Sequence, residues 1–475
     1  MWLIMKVFLL QILAFLVFGG GIHCQASTRR LTFVVREASY KRLCSTKNIL
    51  TVNGKFPGPT IYATKGETII VDVYNKGNEN ITIHWHGVTM PRYPWTDGPE
   101  YITQCPIRPG SKFTQKIILS TEEGTLWWHA HSDWTRATVH GAIIIYPKNG
   151  TKYPFPKPDR EVPIILGEWW KNDVNAVRDE GLQPELNAKK EEYSYEDDTF
   201  KLTVDHGKTY LLRIINAALQ EALFFSIDKH KMTVVGTDGS YTKPLTRDFI
   251  TIFLAKPMIY CTYSGYYTPS SPPSLPYLPA YNDTNASVQV MAGLRSLANA
   301  EHPCNVPLST STNLIYTVSV NSYPCVNNSC AGANGTRFSS MPSSGTEVRV
   351  LEYNSTVEIV FQGTNVLAAT HHPMHLHGYS FYVVGWGFGN FDEIRTLCAI
   401  IWWILPSEYH LCSSKWLGCN QIRGIQPWSV VHALPCRTPS TWGMETAFIV
   451  KNGKHPEAQM CLLRRTCHHV EAAKK

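Results

Sequence analysis

The sequence predicts an all-β protein built of three successive β-sandwich domains, and three observations carry that expectation. Alternating apolar and polar residues recur along the chain, the period that marks half-buried strands. One strand–turn–strand plan occurs three times, and repeated plans predict repeated units. The 30 Pro, 32 Gly and 12% aromatic residues favour many short strands and turns over long helices.

The three copies read in order as "ETIIVDVYNKGNENITIHWHG" (67–87), "KTYLLRIINAALQEALFFSIDKHKMTVV" (208–235) and "STVEIVFQGTNVLAATHHPMHLHGYSFYVV" (355–384). They divide the chain into residues 27–150, 151–300 and 301–475. The first and third copies carry histidine pairs, whereas the middle copy has none and reads as a spacer. Ahead of them, Lys6 precedes "VFLLQILAFLVFGGG" and small residues, the layout of a secretory signal peptide over residues 1–26, cleaved between Gly21 and Ser27. The alternative, a membrane anchor, needs a longer run, and no second apolar span follows.

Secretion agrees with seven Asn-x-Ser/Thr sequons, at Asn80, Asn149, Asn282, Asn285, Asn327, Asn334 and Asn354. It also makes the 13 cysteines readable as candidate disulfides. A composition of 44% hydrophobic and 17% charged residues is that of a globular chain. The net charge of +7 is spread thinly, with no Lys/Arg run beyond a pair, which argues against a nucleic-acid partner.

His-x-His occurs as His84/His86, His129/His131 and His375/His377, where 18 His would give roughly one such pair by chance. On a strand, residues i and i+2 share a face, so each pair presents two imidazoles side by side. Imidazole is the commonest ligand of borderline metals such as copper and zinc. A single strand histidine is more often a hydrogen-bonded structural residue, and His140, His230, His432, His468 and His469 take that reading. Gly87 and Gly378 follow two of the pairs, where a missing side chain permits close backbone approach.

The motifs "HWHG", "WTDGPEYITQCPI", "GTLWWHAHSDWTRATVHGAIII", "GEWW", "HPCNVP" and "HPMHLHGYSFYVVGWGFGNFD" resemble those of the plant laccases, blue multicopper oxidases of three cupredoxin-like, Greek-key β-sandwich domains. The resemblance covers about residues 28–393 and returns at "TWGMETAFIVKNGKHPEAQM" (441–460). "HPMHLHGYSFYVV" sets it apart from the related ascorbate oxidases, and a ferroxidase loses on the same motif. The resemblance implies four coppers per chain. His84 and His375 would bind the type 2 copper, and His86, His129, His131 and His377 the type 3 pair. His372 and an axial Met444 would serve the type 1 copper that takes electrons from substrate. His371 lies outside the pattern. Asp97 matches an acidic position near the three-copper cluster, where a carboxylate can relay protons to oxygen, although an Asp in a turn can also be purely structural.

The family's fourth motif, His-Cys-His-x3-His, is missing. Counted back from Trp442, its positions hold Ala433, Leu434, Pro435 and Pro439. Read one nucleotide out of step, "WSVVHALPCRT" (428–438) is compatible with codons for "GVWFMHCHVER", the family's text. We therefore read residues 394–440 as the product of a frame error or mis-splicing, which leaves the third domain incomplete. Two shorter stretches, "PELNAKKEEYSYED" and "SSMPSS", stand where the family has longer segments. The first of those family segments holds a cysteine, so Cys44 loses its expected partner.

The lineage implied is a monomeric laccase secreted to the apoplast. Such an enzyme oxidises phenols, such as lignin precursors or flavonoids, while reducing O2 to water, and has no membrane attachment after signal cleavage. The alternative is an inactive secreted remnant without a type 1 copper site.

Overall fold

The computed structural model describes residues 28–42, 45–170, 172–181, 202–219, 222–252, 257–262, 276–280, 283–318, 347–363, 371–391, 406–407, 409–413, 416–423, 430–434 and 446–461. The signal-peptide region, Cys44, Met444, and the positions Pro435 and Pro439 lie outside them. The described chain is mostly strand, with two eight-residue α-helices and short 3-10 turns. Among the described residues no helix is long and apolar enough to cross a membrane.

The first sandwich comprises β1 (Thr28–Arg42), β2 (Ser45–Val52), β3 (Ile61–Thr64), β4 (Thr68–Asn75), β5 (Ile83–His86), β6 (Lys112–Ile118), β7 (Gly124–Ala130) and β8 (His140–Tyr146). Its sheets run β2-β1-β4-β6 and β3-β8-β7-β5. Val71, Val73, Ile83, Trp85, Leu126 and Trp128 meet in one core between the sheets. Every residue of β7, "GTLWWHA", is buried, because both of its faces are covered. Leu126, Trp128 and Ala130 enter the first core. Trp127, on the other face, packs with Ile144, Ile215 and Ala217, two of which belong to the next sandwich.

The second sandwich follows with β9 (Arg160–Leu166), α1 (Val174–Gly181), β10 (Thr209–Asn216), β11 (Leu223–Ser226), β12 (Met232–Thr237), β13 (Ser240–Arg247), β14 (Phe249–Ile252), β15 (Met258–Thr262) and α2 (Thr284–Met291). A five-stranded sheet, β13-β12-β15-β10-β9, faces the pair β11-β14 across a core that includes Ile214, Met232, Ile252 and Ile259. Arg213 of β10, with a 1% exposed side chain, joins this sandwich to the first. It donates to Glu161 Oε2 (3.0 Å), Thr125 Oγ1 (3.0 Å) and Tyr153 Oη (2.9 Å).

The third sandwich holds β16 (Thr312–Val318), β17 (Glu347–Leu351), β18 (Thr356–Gly363), β19 (His371–Leu376), β20 (Phe381–Phe388), β21 (Pro406–Ser407), β22 (Tyr409–Ser413), β23 (Trp416–Arg423), β24 (Val430–Leu434) and β25 (Thr446–Val450). Its sheets are β16-β18-β23-β20-β21 and β17-β25-β24-β19-β22. The outer strands β16 and β17 leave Ile315, Val348 and Val350 exposed. The predicted all-β class of three sandwiches is the architecture observed.

Candidate metal centre

Strand alternation places the histidines. In β5, Ile83 and Trp85 point into the first core, which turns His84 and His86 to the opposite face. β5 pairs antiparallel with β7, opposing His84 to His129 and His86 to Trp127. In β19, Met374 and Leu376 enter the third core, so His375 faces away from it and His377 follows just past the strand. Gly87 and Gly378 have φ of +93° and +73°. The glycine after each of these two pairs therefore serves a left-handed turn that ends the strand.

Six of the expected histidines, His84, His86, His129, His131, His375 and His377, converge between the first and third sandwiches. All are buried. Nε2 of His84 lies 3.3 Å from Nε2 of His375, and Nδ1 of His86 lies 3.2 Å from Nε2 of His129. The rings of His86 and His375 stack at 3.8 Å between centroids. His131 approaches His377 at 5.0 Å. The ligand atoms of His84, His375 and His377 lie within 4.8 Å of one another, as do those of His84, His86 and His129.

Asp97 orders this cluster. It caps a 3-10 turn over Pro94–Thr96, its N–H donating to Pro94 O at 3.0 Å. Gly98 follows with φ +107°, and a Cβ there would stand 2.4 Å from Ile83 O, so only glycine lets the loop lie this close to β5. His84 Nδ1–H donates to the backbone carbonyl of Asp97 at 2.7 Å, with Oδ1 of the same residue 3.1 Å away. His377 Nδ1–H donates to Asp97 Oδ2 at 3.0 Å, and His129 Nδ1–H donates to Ala130 O at 2.8 Å. Burial raises the Asp97 carboxyl, but electrostatic attraction to the neighbouring His84 and His377 and the hydrogen bonds they donate outweigh it. The group is held well below the usual carboxylate range.

These acceptors fix the proton of His84, His129 and His377 on Nδ1, leaving the Nε2 lone pair of each for the cluster. That is the arrangement found around metal-bound imidazoles, whose second nitrogen donates to a carboxylate or carbonyl. An all-imidazole donor set suits copper, so the residues present fit such a metal.

Family models of multicopper oxidases match residues 34–150, 160–259 and 305–399. The chain belongs to the multicopper oxidase family. This multicopper oxidase is 39% identical to Laccase-14 of Arabidopsis thaliana, over 95% of each chain. It is also 39% identical to Laccase-21 of Oryza sativa subsp. japonica, over 94% of this chain and 96% of that one. That second match extends over 569 positions whereas this chain has 475 residues, so the relative carries segments without a counterpart here. Among solved structures, laccase from Botrytis aclada superposes with a TM-score of 0.71 at 19% identity, covering 92% of this chain and 90% of that one. Fet3p, a multicopper oxidase that functions in iron import, gives 0.70 at 20%, covering 89% and 90%. These two share the fold. The plant relatives place this multicopper oxidase among the laccases, and copper is the cofactor of the family.

The remaining expected ligands are less fully placed. His372 lies in β19, where backbone pairing sets it opposite Cys412, and its side chain is outside the description, as is all of Met444. Ala433 and Leu434 of β24 pair with Leu376 and His375, so the missing motif's strand position is adjacent to the cluster. Sequence reasoning overlooked Trp127, whose ring lies 4.3 Å from His129 and 5.7 Å from His86. The rule that paired the histidines would have found it, since Trp127 stands two residues before His129 on the same strand face.

Proposed function

We propose that His84 and His375 hold a type 2 copper, that His86, His129, His131 and His377 hold a type 3 pair, and that Asp97 is the proton-relaying carboxylate of this cluster. The observation that carries the reading is the convergence of six buried imidazoles from two sandwiches, three with their tautomer set by protein acceptors. Copper bound there supplies the one-electron chemistry by which four phenol oxidations are coupled to reduction of O2 to two waters.

The protein's own contribution is to keep the ring nitrogens convergent and to exclude bulk water. Trp127 walls one side of His86 and His129, and the Trp85 and Trp128 layer lies beneath β5 and β7. Asp97 Oδ2 accepts from His377 Nδ1–H, so the carboxylate is in direct hydrogen-bond contact with a cluster histidine, the reach a proton relay needs. Secretion to the apoplast and phenolic substrates such as lignin precursors or flavonoids complete the reading for this lineage, and it is supported by the laccase relatives.

For the polypeptide as written, we propose a copper-binding remnant without electron entry. Ala433, Leu434, Pro435 and Pro439 offer neither thiolate nor imidazole, and the third family model's match ends at residue 399. The test is to express the chain, reconstitute it with copper, and record copper content, visible colour and phenol-dependent O2 uptake. The expected result is bound copper, no blue band and no uptake. Restoring the frame over residues 394–440 should yield both the blue band and activity. Blue colour from the chain as written would overturn the remnant reading, and no copper at all would overturn the cluster assignment.

A further inference from the structure

We propose that the C-terminal segment Pro456–Cys461 is a strap that positions Asp97 through Arg92 and Trp95, and thereby sets how tightly the histidine cluster holds copper. The inference rests on reading that cluster as a copper site.

The strap is the continuation of the third sandwich. Beyond β25, Lys451 N donates to Leu351 O (2.9 Å), Gly453 N to Ala458 O (2.7 Å) and Met460 N to Asn452 Oδ1 (2.9 Å), which folds the chain into a closed hook. The hook lies against the first sandwich, on the loop between β5 and β6. Arg92 Nε donates to Gln459 O at 2.6 Å and its Nη2 to Pro456 O at 2.9 Å. Trp95 Nε1 donates to Cys461 O at 2.9 Å, and Cys461 N donates back to Arg92 O at 2.9 Å. Four hydrogen bonds thus join segments more than 360 residues apart.

Three features make this more than a surface contact. Met90 and Arg92 have φ of +47° and +61°, a left-handed backbone that non-glycine residues keep only where their surroundings hold it. Trp95 is the central residue of the 3-10 turn that ends at Asp97, so the strap grips the turn's outer side while the carboxylate works on the inner side. The sandwich from which the strap extends also supplies His375 and His377, so the strap ties the two halves of the cluster at a second point. From within, Gln115 Nε2 donates to Thr96 O (3.0 Å) and Ile83 O (2.8 Å). The loop is therefore held between Gln115 and the strap. Arg92 and Trp95 are positioning residues, because they reach the metal ligands only through Asp97.

The test uses the full chain with Trp95→Phe, which keeps the ring and loses the donor, Arg92→Lys, which loses the fork, and the double variant. Two readouts are needed. In the metal-free protein, solvent exchange of the His84 and His377 Nδ1 protons, followed by NMR, should accelerate severalfold in the double variant. In the copper-loaded protein, competition with a chromophoric chelator should show affinity about tenfold weaker, the size expected when a ligand's support is lost, with each single variant between. Unchanged proton exchange together with unchanged affinity overturns the strap. A lower unfolding midpoint with both readouts unmoved also overturns it, because the contact would then be structural only. Failure of the unaltered chain to take up copper would count against the cluster assignment instead, and the exchange rates would still decide the strap.

Discussion

Nε2 of His84 and Nε2 of His375 lie 3.3 Å apart although 291 residues separate them in the chain. His84 comes from the first sandwich and His375 from the third, so neither sandwich alone builds the cluster. Asp97 holds His84 through its backbone carbonyl and His377 through its carboxylate.

His84 belongs to both groups of ring nitrogens that lie within 4.8 Å of one another, and His131 belongs to neither. His84→Ala should therefore weaken copper binding by more than ~100-fold, beyond the loss typical of a supporting contact, and His131→Ala by less. Chelator competition on the two variants measures the order, and equal losses would contradict it.

Gly98→Ala should be costly for two reasons. Its φ of +107° disfavours any side chain, and the added methyl would meet Ile83 O at 2.4 Å and His84 Cα at 2.8 Å. A loss of about 2–4 kcal/mol in urea unfolding is expected. It should be accompanied by poorer copper retention, since the loop that presents Asp97 would be pushed off β5.

His140 is buried with Nδ1–H donating to Arg136 O at 2.8 Å, and burial pushes its imidazole down to about 4 from 6.5. The unfolded chain therefore takes up the proton first. Its contribution to stability is complete above about pH 6.5 and is lost as the pH falls through about 4. At pH 5 the penalty is about 2 kcal/mol. His140→Gln should narrow the gap in unfolding free energy between pH 7.5 and pH 5 by about that amount, as read from urea melts at the two pH values.

Glu161→Ala would leave the Arg213 guanidinium buried without the carboxylate that lies 2.9 Å from its Nη2. Removing one partner of a buried pair costs about 3–5 kcal/mol. The Glu161→Ala/Arg213→Met double variant should recover most of it, because the uncompensated charge is then gone too. A single variant as stable as the parent would show that Tyr153 and Thr125 satisfy the guanidinium alone.

Much of the architecture was legible in local patterns. Period-two alternation marked β4 and β18, and i, i+2 spacing put each histidine pair on one strand face. The glycines after two pairs were recognised, and both hold left-handed backbone. Strand burial was less legible. β7 reads as an unbroken apolar run because Leu126 and Trp128 fill one core while Trp127 meets Ile215 of the next sandwich, and no local pattern reveals a second covering surface. Arg213 carried no motif at all, since its partners Thr125, Tyr153 and Glu161 lie between 52 and 88 residues away.

The sequence by itself determined the histidine pairs, their placement on strands, the family and the absence of a His-Cys-His motif, because these are properties of neighbouring residues. Only the tertiary structure decided that three separate pairs meet at one place, that Asp97 touches two of the histidines, and that a C-terminal segment grips the loop behind it. Those relations close loops of tens to hundreds of residues. Their geometry depends on how whole sandwiches pack, and no local spacing encodes it.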